Sequence, residues 1–220
     1  MPRSASRVAV AVVSLMLFSC AFSCAKAPPA EPEYDPFEAM EEQKPVAEPE
    51  PEPEPKCESF DEGCRAARRT WLSFGDSATF QPPRTWLYAK LAEVSVAKHE
   101  SNDAALGFRV VSAPLEPKKN PNSVIAAVGP LFDAMSVEVA PSTMRTELRK
   151  NGIVDDSGSI SLSTWELNGK VGGAKTAVLL ILASLGSGEG LVGVVAINDA
   201  VFDEYFEVVR QSYRSVRSAQ

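Results

Sequence analysis

The stretch Ile160–Asn198, ISLSTWELNGKVGGAKTAVLLILASLGSGEGLVGVVAIN, decides the fold. Ile160 to Leu167 has strand character, and Asn168-Gly169 follows it. That dipeptide is the strongest short-range hairpin signal, because a type I′ turn needs positive φ at both central residues. A second strand returns and becomes fully apolar from Ala177 to Ala183. Gly186-Ser187-Gly188-Glu189-Gly190 turns the chain, and Leu191 to Ile197 pairs back.

Upstream, Ser77 to Gln81 predicts a short strand stopped by Pro82-Pro83. Tyr88 to Lys98 alternates through Leu91, Val94 and Val96 and predicts one strand. Leu106 to Ser112 predicts another, and residues 114–122, with three prolines, a loop. Asn122 or Ser123 is positioned to cap a helix carrying Val124, Ile125, Val128, Leu131, Phe132 and Met135. Pro130 inside it implies a kink or a boundary. Ser142 caps a second helix, Thr143 to Lys150, stopped by Gly152. Asn198 or Asp199 caps a final helix with Val201, Phe202, Tyr205, Phe206, Val209, Tyr213 and Val216 on one face. Arg210, Arg214 and Arg217 end it, favourable to its dipole. CRAARRTWL, from Cys64, predicts one further short helix with Arg65, Arg68 and Arg69 on a solvated face.

The expected class is α+β: an antiparallel β-sheet flanked by helices. The order of elements supports this: a strand ending in Pro-Pro-x-x-Trp (Pro82, Pro83, Trp86), further strands, a helix, long antiparallel hairpins and a closing amphipathic helix ending Ser215-Val216-Arg217. Over residues 75–218 it resembles the PsbP family, an α/β/α sandwich shared by photosystem II extrinsic proteins and a Ran-binding nuclear protein. The resemblance implies a binding or assembly module without a catalytic signature, and carries no functional residue across.

The 220 residues include 22 Lys and Arg against 29 Asp and Glu, a net charge of −7. Mean hydropathy is −0.08, which excludes a polytopic membrane protein. Ten of the acids lie in residues 26–56, against three lysines; residues 57–220 carry 19 acids and 17 bases, a net of −2. The pI of 4.9 therefore belongs mainly to one segment. No basic excess points to nucleic acid.

That segment is a spacer. Residues 27–56 hold nine of the 17 prolines, and residues 48–55 are Glu-Pro four times over. Fixed φ, missing donors and like-charge repulsion predict disorder with polyproline II character, reaching about 90 Å if extended. Its expected role is a passive tether. Recognition of the acidic tract by a basic partner or divalent cation is the alternative, and Tyr34-Asp35-Pro36-Phe37 is a small apolar island within it.

Residues 1–24, MPRSASRVAVAVVSLMLFSCAFSC, place Arg3 and Arg7 before an apolar run, which is the pattern of a secretory signal. The uncharged stretch Val8–Ala25, 18 residues, is at the short edge of a spanning helix. Leu17-Phe18-Ser19-Cys20 resembles the bacterial lipoprotein signal, in which the cysteine is acylated and becomes the new N-terminus. Phe18 departs from the usual smaller residue. Ala21-Phe22-Ser23-Cys24 is the second candidate; parity of the remaining cysteines favours it, and the leucine favours Cys20. Neither Ala21 nor Ala25 is the Asp that resembles an inner-membrane retention signal. The expected organisation is a signal peptide over 1–19, an acylated anchor and spacer over 20–56, and one domain over 57–220. The expected place is the cell envelope, lipid-anchored, at an outer membrane, with the bilayer and an envelope protein as partners.

Cys57 and Cys64 enclose six residues. In an exported protein a disulfide is the default; a metal pair would need further ligands. His99, the sole histidine, is expected as a surface residue rather than a base. Trp71, Trp86 and Trp165 are expected in or near the core. Gly169-Lys170-Val171-Gly172-Gly173-Ala174-Lys175-Thr176 approaches a phosphate-binding loop, with Asp199 mimicking a magnesium ligand. Ala174 stands where that motif has glycine, and the segment belongs to a hairpin rather than a strand-to-helix loop. Gly172-Gly173 is instead expected as a bulge or close backbone approach. No cofactor, metal or catalytic residue is expected. The function expected is non-catalytic binding or scaffolding; the alternative is a small envelope hydrolase using Ser and Asp or Glu.

Overall fold

The computed structural model describes residues 56–218. The signal peptide, Cys20, Cys24, the Tyr34–Phe37 island and the Glu-Pro tract lie outside them.

The central sheet is antiparallel throughout. It contains β3 (Leu87–Leu91), β4 (Val94–Lys98), β5 (Ala104–Val111), β6 (Val137–Glu138), β7 (Ile153–Asp155), β8 (Leu162–Val171), β9 (Ala174–Ser184) and β10 (Gly190–Asn198). Their order is β3-β4-β5-β10-β9-β8-β6, with β7 also beside β8. A second sheet joins β1 (Leu72–Phe74), β2 (Ala78–Phe80) and β11 (Arg217–Ser218). The helices are α1 (Pro121–Met135), α2 (Pro141–Leu148) and α3 (Phe202–Arg214).

Both faces of the central sheet are covered. On one, Phe108, Ile181, Leu191 and Val195 meet Phe74 and Phe80 of the small sheet and Val209 and Tyr213 of α3. On the other, Leu180, Val192 and Val194 meet Val124, Val128 and Leu131 of α1 and Leu148 of α2. This is the expected α+β, α/β/α arrangement. Strand β10 is buried at every position except Asn198, as its unbroken apolar run requires. Gly193 is needed at its centre: a Cβ there would lie 2.5 Å from the Phe108 ring.

Several local expectations are corrected. The hairpin turn is at Gly172-Gly173, with φ of 57° and 85°, and not at Asn168-Gly169. Two glycines adopt the positive angles of a type I′ turn with less strain than Asn. Gly169 instead stays in β8, where β6 crosses closely; a Cβ would lie 2.8 Å from Val178 Cγ2 and 3.0 Å from the Glu138 carbonyl oxygen. The two glycine roles are thus exchanged relative to the sequence reading.

Tyr88–Lys98 is two strands, with Leu91 opposite Val94. The Ala92-Glu93 turn between them carries no glycine or proline to announce it. CRAARRTWL is not helical. Arg65 bridges Leu87, Ala66 N–H donates to the Trp86 carbonyl at 2.9 Å, and Thr85 N–H donates to the Ala66 carbonyl at 2.8 Å. Pairing with residues 85–88 overrides local helix propensity.

Helix α1 starts earlier than expected: Asn120 is its cap, accepting from Ser123 N–H, and Pro121 opens the first turn. Pro130 lies inside it, and the helix continues to Met135. The carbonyl that Pro130 cannot bond belongs to Ala126, which is exposed and open to water. In α2, Ser142 is inside and Ala140 precedes, without a side-chain cap. Gly152 does not end α2; it lets Trp165 lie against the backbone, where a Cβ would be 2.7 Å from the indole. Asn198 does cap, accepting from Ala200 N–H at 3.1 Å, but what it caps is the 3-10 turn Asp199–Val201; α3 follows Val201 without a side-chain cap.

Candidate functional site

A groove of about 920 Å³ opens between α1, the start of α2 and the β8–β9 hairpin. Its apolar part includes Ile125, Phe132 and Val139, and Asp133, Glu138, Asp199, Lys170 and Lys175 supply charge. The backbone sets this up. Ser136 takes φ of 54° and ends α1, so the chain turns directly into β6. There Glu138 is placed opposite Lys170, and Lys170 opposite Lys175. Glu138 thus flanks a like-charge pair that, alone, would repel across the ladder. The groove offers an apolar wall and both signs of charge, an arrangement for binding.

Residues of the phosphate-loop lookalike do converge here: Gly169, Lys170, Lys175, Thr176 and Asp199 all line the groove. They form no phosphate cradle. The segment is two antiparallel strands, no helix follows the glycines, and the Thr176 hydroxyl donates to the Ala174 carbonyl at 3.1 Å. A P-loop needs a helix N-terminus and amides converging on the anion.

His99, following β4, sits in a second cluster. Its Nδ1 is 2.8 Å from Ser101 Oγ and 3.3 Å from the Tyr205 hydroxyl, and its ring lies 4.9 Å from Tyr205 and 5.8 Å from Trp86. The Ser101 backbone N–H donates to the same Nδ1 at 3.3 Å, which puts the proton of a neutral ring on Nε2. Asp103 accepts from Asn198 Nδ2 at 3.0 Å. Its carboxyl is held below the usual range, first by the Ser101 hydroxyl, then by Asn198. Serine therefore stands between carboxylate and imidazole. A triad needs the imidazole in the middle, oriented by the acid and facing the hydroxyl. This cluster is a packed turn anchoring α3.

Other depressed carboxylates also serve as anchors. Burial, the largest influence on Asp155, pushes it up, yet the Ser157 hydroxyl and the Arg214 guanidinium carry it below the usual range. Arg214 Nε lies 2.8 Å from it and ties β7 to α3. Glu189 is lowered by the Ser77 hydroxyl and then by Ser187, which joins the small sheet's turn to the start of β10.

The tryptophans divide. Trp86 and Trp165 are buried, and Trp165 Nε1–H donates to the Lys150 carbonyl at 3.3 Å. Trp71 is half-buried beneath the Arg217 guanidinium, 3.7 Å from its ring centre. Cys57 and Cys64 are bonded, with Cα atoms 5.8 Å apart. Glu62 fastens their loop, its carboxylate accepting N–H groups of Cys57, Glu58 and Ser59 at 2.7–3.1 Å. The Ser59-x-x-Glu62 spacing is a capping-box signal that marks this turn in the sequence. Groove formation had no comparable signal, since it depends on where β6 crosses.

No known protein family and no curated protein matches the chain. Among solved structures it is similar to the solution structure of cyanobacterial PsbP (CyanoP) from Synechocystis sp. PCC 6803. That similarity has a TM-score of 0.43 and 14% identity, over 68% of this chain and 91% of that one. The fold class stands on the strands and helices themselves.

Proposed function

We propose that this protein is a lipid-anchored extracytoplasmic binding module whose recognition surface is the groove between α1, α2 and the β8–β9 hairpin. The observation that carries this is the lining itself. Ile125, Phe132 and Val139 share the groove with Lys170 and Lys175 and with Asp133, Glu138 and Asp199. A surface with both charges around apolar contacts suits a segment of polypeptide. The lipobox-like Leu17-Phe18-Ser19-Cys20 supports an envelope address, and the Glu-Pro spacer supports reach.

The test is a photo-crosslinker at Thr143, compared with one at Ser112. A discrete adduct from the groove position, lost in Lys170→Glu/Lys175→Glu, is expected in intact cells. Equal labelling from Ser112 overturns the reading.

A further inference from the structure

The segment expected to be helical carries a second surface. Residues 64–66 lie against residues 85–88, and the chain runs on from there to Leu72, where β1 of the small sheet begins. Gln81 Nε2 donates to the Arg68 carbonyl at 2.6 Å, which brings that segment to the end of β2. Arg217 of β11 pairs with Thr79 of β2, and its guanidinium covers Trp71. Arg84 sits in the turn closed by Trp86 N–H donating to the Pro83 carbonyl at 3.3 Å. Three separate stretches of chain thus bring Arg68, Arg69, Arg84 and Arg217 to one region around a half-buried indole.

All four are exposed. The neighbouring Arg65 is matched by Glu100 at 3.1 Å. Among the described residues no carboxylate lies within ion-pair distance of the other four. Between residues 65 and 90 the only acid is Asp76, in the turn at the opposite end of the β1–β2 hairpin. On a domain of net charge −2 this is a local reversal of sign. Guanidinium forks suit phosphate oxygens, and an indole carrying a stacked cation suits the boundary between water and acyl chains.

We infer that Arg68, Arg69, Arg84, Arg217 and Trp71 form a docking face for an anionic phospholipid surface. The inference rests on the reading of the chain as membrane-tethered, because the tether supplies the local concentration that makes a weak contact populated. Domain residue Arg65 directly follows Cys64, so the face adjoins the end of the domain that continues from the spacer. Each basic residue near an acidic bilayer strengthens attachment about fivefold, and salt screens it.

The full chain is reconstituted with vesicles of phosphatidylcholine alone or with added phosphatidylglycerol. Hydrogen exchange is followed at residues 65–72 and flotation is scored in parallel. Slowed exchange, about fivefold or more, is expected only with phosphatidylglycerol and low salt. It is expected to disappear in Arg68→Gln/Arg69→Gln and in Arg84→Glu, and to persist in Lys118→Glu/Lys119→Glu, remote in sequence. Flotation without lipid-dependent protection overturns the docking face and leaves the tether standing. Failure to float on neutral vesicles overturns the tether. Equal protection by neutral vesicles, or protection by duplex DNA matching that by vesicles, also overturns the proposal.

Discussion

Glycine has two different tasks within one hairpin. Gly172 and Gly173 hold positive φ with open space around them, so alanine there strains only the backbone. Gly169 has ordinary φ but no room. Gly169→Ala is expected to push β6 away from β8, lower stability by roughly 1–3 kcal/mol and deform the groove. Thermal unfolding together with groove crosslinking checks it: a variant that melts like the parent and still crosslinks contradicts the close approach. Asp155 has a pH signature. Its folded pKa lies below the unfolded value, so its contribution is present above about pH 4 and is lost as pH falls through the lowered value. Asp155→Asn is expected to cost about 1–2 kcal/mol at neutral pH. The difference in melting temperature between parent and variant should close in acid. A gap that widens in acid has the wrong sign for this anchor.

At the scale of elements, legibility followed locality. Helix α3 was readable because its apolar residues recur at helical spacing, although the Asn198 cap belongs to the short 3-10 turn Asp199–Val201 that precedes it. Strand β10 and the apolar middle of β9 were readable because their composition matches burial on two faces; β8, exposed at Glu166, Asn168 and Lys170, was readable from its strand-forming residues. What the residues did not reveal were decisions made by partners distant in sequence. Residues 65–71 have helical propensity, yet the backbone of residues 64–66 pairs with residues 85–88, and the Arg68 carbonyl accepts from Gln81. The Asn168-Gly169 signal yielded to a better turn four residues on. The groove was illegible for the same reason: its lysines are in one hairpin, while Glu138 arrives from a strand of two residues. The Cys57–Cys64 loop behaves as an element of its own. Reducing it is expected to cost about 2–3 kcal/mol by the chain-entropy relation. Denaturant unfolding with and without reductant measures this, and non-reducing peptide mapping of exported protein should find both thiols oxidised.

For the whole molecule, both apolar layers are built from residues within 56–218. Deleting residues 20–56 is therefore expected to leave unfolding cooperative, with the midpoint moved by no more than about 2–4 °C. Shortening the spacer is expected to impair function in cells while leaving membrane attachment intact, because only reach changes. A scrambled spacer of equal length should restore it; failure would make the Glu-Pro tract a recognition element. Mass spectrometry of membrane-extracted protein should show a mature chain beginning at acylated Cys20.

The strand order also constrains time. Strand β5 finds its second neighbour in β10, where Val111 meets Gly190 roughly 80 residues later. Loop closure over that span must precede the stabilising contacts it brings, which slows folding. A nascent chain passing N-terminus first through a narrow translocation channel therefore cannot complete its middle layer until nearly all of it has emerged. On the proposed export route the central sheet would close only once β10, the last of its strands in chain order, had crossed, with just α3 and β11 still to follow.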